Sequence, residues 1–214
     1  MGAGMAAAYK KLPSRVLMVV FGSAVMGLSI DLLVTAGFGL DPLSLFQAGL
    51  SRVFGITLGR ASQLLMVSIM AVLLMLDRKR VGLGSVLNSV LVGYFVNLFA
   101  RWLPMAGFQS LWVRCGVVAA GFLLMGFGIG TYIAARLGEA GVDALMVYFA
   151  EKCKLPMRRV RPGLDVFLAL TGFLMGGSLG WATLASMAVN GYVIQLTVDM
   201  WQACAIARQT TKSQ

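Results

Sequence analysis

Two stretches of this chain, Cys115 to Ala135 and Val166 to Val198, contain no charged side chain. At about 1.5 Å per helical residue, each is long enough to cross a hydrocarbon core about 30 Å thick. A water-soluble fold needs polar residues on its outer faces, and these stretches offer too few. Apolar residues make up 59% of the chain, charged residues only 12%, and mean hydropathy is +0.85. Those values lie outside the globular range. The expected fold class is all-α, as a polytopic membrane protein.

Six spans can be drawn, at 16–38, 57–76, 82–102, 112–135, 164–179 and 182–206. The net charge of +10 then sorts by side. Lys10, Lys11 and Arg15 precede the first span, and Arg78, Lys79 and Arg80 follow the second. Arg136, Lys152, Lys154, Arg158, Arg159 and Arg161 follow the fourth, and Arg208 and Lys212 follow the sixth. These are 14 of the 18 basic residues, against Arg52, Arg60, Arg101 and Arg114 on the other face. The positive-inside rule puts both termini of this expected inner-membrane protein in the cytoplasm. Nucleic acid is not an expected partner, because binding it needs an exposed basic surface with stacking aromatics. The apolar run after the basic N-terminus is longer than a signal core and lacks a small-x-small cleavage site, so an uncleaved first span is expected. Three cysteines without a C-x-x-C pair, and the absence of histidine, give no support for disulfides, metal or another cofactor.

The chain also repeats itself. Gly22, Met26, Gly27, Ile30, Ala36 and Gly39 align without a gap on Gly121, Met125, Gly126, Ile129, Ala135 and Gly138. Past one small gap, Gly82, Gly93, Tyr94 and Leu98 meet Gly180, Gly191, Tyr192 and Leu196, with Ser85 opposite Thr183 and Asn97 opposite Gln195. A duplicated unit with three spans must lie in the bilayer in two opposite orientations, a plan common among secondary transporters. The hinge between spans two and three supports inversion. It reads Asp77-Arg78-Lys79-Arg80 in one copy and the uncharged Met175-Gly176-Gly177-Ser178-Leu179 in the other, as expected if only the first is cytoplasmic.

Each copy carries a short apolar segment after its first span. Gly37-Phe38-Gly39 breaks the helix, and Leu40-Asp41-Pro42-Leu43-Ser44 leads into Leu45-Phe46-Gln47-Ala48-Gly49-Leu50. In the second copy Gly138-Glu139-Ala140-Gly141-Val142-Asp143 leads into Ala144-Leu145-Met146. Glycine permits the break, proline suits a first helical turn, and Asp or Ser caps exposed amides. Such short helices either cap ordinarily at the membrane surface or turn their positive ends toward a ligand, an anion being one candidate.

The stretches Gly39 to Ser51 and Leu137 to Met146 resemble the post-span motif of the YczE/YyaS/YitT family of bacterial membrane proteins. Gly82-Leu83-Gly84-Ser85-Val86-Leu87-Asn88 and Gly180-Trp181-Ala182-Thr183-Leu184 resemble that family's glycine-rich approach to spans three and six. The resemblance covers most of residues 16–200 and implies membrane location and architecture more than activity. Where the family has Asp this chain has Ser44, and where it often has Pro this chain has Gly141, which leaves Asp143 as the better-matched acid.

Among polar residues within spans, Asp31 stands 16 residues after Arg15, about 24 Å along a helix. A carboxylate inside the hydrocarbon costs on the order of 2.5–3.5 kcal/mol by insertion scales, so Asp31 is expected to face the bundle, either as a proton- or cation-coupling acid or as an acid near the outer headgroups. Asn88, Asn97, Asn190 and Gln195 either bond neighbouring helices or meet a ligand. The expected domains are a cytoplasmic segment at 1–15, a first membrane repeat at 16–102 and an external linker at 103–111. A second repeat at 112–206 and a cytoplasmic tail at 207–214 follow. The expected function is secondary transport of a small solute, an anion being one candidate, through a site formed by Asp31, Gly39, Asp41, Ser44, Asn97, Gly138, Asp143 and Gln195. Expected partners are the lipid bilayer, a small-molecule or ion substrate and, as an option, further copies in a homo-oligomer. An importer subunit and a non-transporting scaffold or regulator are the alternatives. An enzyme is not expected, because the chain has neither histidine nor an acidic cluster.

Overall fold

The protein is described by a computed structural model covering residues 2–103, 109–138, 141–154 and 157–210. Among them there are eight α-helices and no strand: α1 (Gly2–Ala36), α2 (Pro42–Phe54), α3 (Leu58–Leu76), α4 (Leu83–Phe99), α5 (Leu111–Ala134), α6 (Gly141–Lys152), α7 (Met157–Leu174) and α8 (Trp181–Thr210). The two short helices expected after the first and fourth spans are present as α2 and α6, with 13 and 12 residues. A 3-10 turn at Arg78–Arg80 joins α3 to α4.

Among the described residues, three helices are both long and apolar enough to cross a membrane: Leu12–Ala36, Leu58–Leu76 and Leu111–Ala134. The apolar helices Leu83–Phe99 and Pro162–Leu174 are shorter, which departs from the six expected spans. The shortening has local causes. The chain leaves α7 through Gly176 at φ 90°, and α7 opens with the basic residues Arg158, Arg159 and Arg161. The first helix extends from Gly2 and runs through Pro13 into the first span. At the other end α8 continues past residue 206 to Thr210. The expected linker lies largely outside the described residues, as does the end of the tail.

The frame is an antiparallel pair, α1 against α5. The helices approach closely where Gly22 meets Gly128, since a Cβ on Gly22 would sit 2.8 Å from the Gly128 carbonyl oxygen. Seven residues along, Ser29 Oγ donates to the Gly121 carbonyl at 2.7 Å. Helix α4 packs on α1 and α8 on α5, while α2 lies against α7 and α6 against α3. Apolar packing follows the pair in sequence. Leu33, Val118 and Phe122 form one cluster, Ile30, Val96 and Met125 the next, and Val19, Tyr132 and Ala135 the last.

The outside is apolar. Phe21, Leu64, Leu123, Phe167 and Leu184 are all exposed, as suits a surface solvated by lipid tails. Trp102, in the turn after α4, and Trp112, in the first turn of α5, are strongly exposed, as suits indole rings at the headgroup layer.

One kind of contact recurs in both halves and fixes the helix breaks. Gly39 (φ 107°) lies against Gly180, and Gly138 (φ 126°) against Gly82. Beside each, an amide reaches across the break: Ala182 N–H donates to the Phe38 carbonyl at 3.2 Å, and Gly84 N–H to the Leu137 carbonyl at 2.8 Å. Thr183 Oγ1 and Ser85 Oγ accept from the amides of Gly180 and Gly82 at 3.4 and 3.3 Å. Both glycines occupy positive-φ backbone where a side chain is strained.

Candidate solute-binding cavity

A cavity of about 320 Å³ opens within the bundle, and all eight helices contribute to its wall. That lies at the lower end of the range of ~300–1,000 Å³ for small-molecule sites. Much of the lining is flexible and apolar, including Met26, Met66, Met125, Met146 and Met187. Thioether side chains adapt to the shape of a guest better than branched ones do.

The polar part of the wall begins at α2. Asp41 is its N-cap: extended backbone (φ −60°, ψ 155°) precedes Pro42 in the first turn, and Oδ2 accepts from the Ser44 amide at 3.2 Å. The second carboxylate oxygen, Oδ1, is buried with no hydrogen-bond partner among the described residues. Burial pushes the Asp41 carboxyl, which lies in the connection between α1 and α2, above the usual carboxylate range, and the hydrogen bonds from Ser44 only partly offset this. Ser44 and Gln47 are three residues apart on one helix face, both 2% exposed.

Gln47 Oε1, Ser62 Oγ on α3 and Asn190 Oδ1 on α8 are likewise buried without a partner, and all three residues line the cavity. Only one other buried side-chain atom shares that condition among the described residues, Asp31 Oδ2. An orphaned buried polar atom costs about 1–3 kcal/mol. Four gathered on one cavity wall mark it as a place built for hydrogen-bonding contents. Asn88, also on the wall, is by contrast satisfied, its Oδ1 accepting from Ser23 Oγ at 2.9 Å. Asp143 and Asp165 line the wall from α6 and α7, each engaged with a further group. Among the described residues, no cluster of three or more His, Cys, Asp or Glu is arranged to hold a metal.

Residues 13–199 match the profile described as a family of unknown function, DUF6198. The chain belongs to that family. A protein of Haemophilus influenzae called an uncharacterized protein is 29% identical over 183 residues, covering 85% of this chain and 82% of its own length. The uncharacterized membrane protein YczE of Bacillus subtilis is 26% identical over 178 residues, covering 83% of this chain and 82% of itself. YyaS of Bacillus subtilis is 22% identical over 179 residues, covering 82% and 88%. No solved structure matches. The YczE and YyaS likeness agrees with the motif resemblance, and with the apolar helices it makes the chain an integral membrane protein of this family.

Of the eight residues expected at the site, three line the cavity: Asp41, Ser44 and Asp143. Asp31 faces the interior, 4% exposed, but is not part of the cavity wall. Gly39 and Gly138 shape the helix breaks. Asn97 is half-buried against Gly59 of α3, whereas Gln195 is exposed and donates Nε2 to Asp199 Oδ1 at 2.8 Å. Their matching positions in the repeat therefore do not make matching surroundings. Residues the sequence reading did not single out as ligands are Gln47, Ser62 and Asp165, whereas Asn190 is one of the span amides for which both readings stand open. Gln47 was within reach, because it shares a helix face with Ser44.

Proposed function

We propose that this protein is a secondary transporter of a small solute in the bacterial inner membrane, built as two inverted three-helix repeats with both termini cytoplasmic. The observation that carries the reading is the cavity, walled by all eight helices from both halves of the chain and holding orphaned polar atoms among methionines. Carriers of this plan bind solute between their repeats. The paired contacts of Gly39 with Gly180 and Gly138 with Gly82 support the inversion, since each half uses its own glycine break to receive the third span of the other. The antiparallel α1–α5 pair supports it too.

The halves differ in how their last two long helices pack. Helices α3 and α4 are packed where Gly59 meets Gly93, whereas α7 and α8 touch little and Gly191, the partner of Gly93 in the alignment, borders the cavity with open space beside it. A carrier needs such unequal halves in order to face one side at a time. A catalytic role has no comparable support.

Purified protein in sealed proteoliposomes, screened for uptake of labelled small metabolites with and without an ion gradient, tests the proposal. Saturable, gradient-dependent uptake is expected. A protein that binds a solute at the cavity yet never moves it across the bilayer would be a receptor or scaffold.

A further inference from the structure

The hydrogen-bonding character of the cavity wall restricts what can occupy it. Gln47 Oε1 and Asn190 Oδ1 are acceptors only, Asp41 Oδ1 is an acceptor when its carboxyl is ionised, and the fourth orphan, Ser62 Oγ, can accept as well as donate. Among the described residues of the wall there is no lysine or arginine, while three aspartates stand on it. The positive end of α2, the natural seat for an anion, is already taken by the Asp41 carboxylate through the Ser44 amide. An anionic guest would therefore face three aspartates and oxygen lone pairs, with no lysine or arginine on the described wall to offset them.

Resting on the carrier reading for its biological meaning, we infer that the cavity's substrate class is a small organic ammonium: a protonated primary amine on a compact apolar body. A primary ammonium brings three N–H donors, enough for Asp41, Gln47 and one further orphan. Its charge meets Asp41, and its body lies among Met26, Met66, Met125 and Met146. A hydroxyl head brings one donor and leaves acceptors unmet. A bare inorganic cation would fill only a small part of about 320 Å³ and leave the methionine surface against water. Burial alone favours the neutral Asp41 carboxyl, and a cation at Oδ1 is the partner that holds it ionised.

The experiment is a head-group series on the unmodified, full-length protein in detergent micelles, read by calorimetric titration at constant ionic strength. The probes are cyclohexylammonium, cyclohexanol, cyclohexanecarboxylate, cyclohexyltrimethylammonium and sodium chloride. Cyclohexylammonium is expected to bind at least tenfold tighter than the alcohol, and tighter than the trimethylated cation, which has charge but no N–H donor. The carboxylate and sodium are expected not to bind at the cavity. Equal affinities across the series, preference for the carboxylate, displacement of the amine by sodium, or no binding of cyclohexylammonium would each overturn the inference. Asp41→Asn retains a helix cap and should lower ammonium affinity at least tenfold while leaving the alcohol within about twofold. An unchanged ammonium affinity in that variant also refutes the assignment. Binding without flux in proteoliposomes would sink the carrier reading alone, whereas flux of an anion without amine binding would sink this inference alone.

Discussion

Replacing Gly39 by alanine tests the contact on which the helix breaks depend. The residue sits at φ 107°, and a Cβ there would lie 2.7 Å from Gly180 N, 2.7 Å from Thr183 Oγ1 and 2.9 Å from Gly180 Cα. Two of those atoms are backbone and cannot rotate away. Holding a non-glycine residue in such backbone costs about 1–3 kcal/mol. Forcing a methyl into a filled space costs about 1–3 kcal/mol more, so a loss of roughly 2–6 kcal/mol is expected. Gly138→Ala should fall in the same range, because at φ 126° its Cβ would lie 2.7 and 2.8 Å from Gly82 N and Cα. Gly55→Ala separates the two causes: its φ is 62° with nothing within 4 Å, so only about 1–2 kcal/mol is expected. Gly116→Ala, in the interior of α5 with open space around it, should cost nothing or stabilise by up to about 1 kcal/mol. Reversible unfolding in mixed micelles, followed by far-ultraviolet circular dichroism, measures all four. The reasoning fails if Gly39→Ala costs no more than Gly55→Ala. A tolerated Gly138→Ala beside a damaging Gly39→Ala would refute the equivalence of the two breaks.

Arg114 donates Nε to the Ala36 carbonyl at 2.7 Å and stacks over the Phe38 ring at 4.0 Å, closing the end of α1. Arg114→Ala should cost about 1.5–3 kcal/mol in the same unfolding assay, the range for hydrogen bonds to charged groups, and an effect below that would mean solvent replaces the contact. Glu151 joins Arg80 across the halves but is 64% exposed, so Glu151→Gln should cost less than about 1 kcal/mol; a larger loss would reveal a network at that end. Single cysteines at positions 78 and 177, in a background without other cysteines, should react with impermeant thiol reagents from opposite sides of the membrane, and labelling of both from one side would refute the inverted arrangement. Asp31 is buried away from the cavity wall, so Asp31→Asn should leave cyclohexylammonium affinity unchanged while slowing ion-coupled uptake, and a fall in affinity would refute its separation from the binding site.

Much of the architecture was legible because membranes punish unsatisfied backbone and stray charge. The uncharged runs gave α5 and α8, and the Gly-x-Gly breaks at 37–39 gave the end of α1 and the start of α2. Span lengths were less legible, since hydropathy has no marker for a turn such as that at Gly176 and does not register the fraying of apolar runs into polar ends. The site was half legible. Asp41 and Ser44 announced themselves as capping chemistry, but Ser62 is one small polar residue in an apolar helix, and nothing local says which way it faces. Asn97 and Gln195 misled for a physical reason: aligned positions in the sequence do not imply equal packing when α3 covers α4 and α7 leaves α8 open.

That difference extends to the pattern of agreement between the halves. Aligned positions that agree include those that hold helices together: Gly22 and Gly121, Gly27 and Gly126, Gly39 and Gly138 all face close contacts. Positions that line the cavity agree where they are apolar, as Met26 with Met125 and Ile30 with Ile129. They diverge where they are polar: Gln47 stands opposite Met146, Ser44 opposite Asp143, Asn88 opposite Ser186 and Val92 opposite Asn190. A purely structural duplication would gain nothing from polar divergence around an interior space, because each unmatched buried polar atom is a cost. A ligand with one polar head and one apolar body has no twofold symmetry, and a wall that recognises it must break the symmetry of its frame. These four mismatches fall on the cavity wall, where an asymmetric guest would be read.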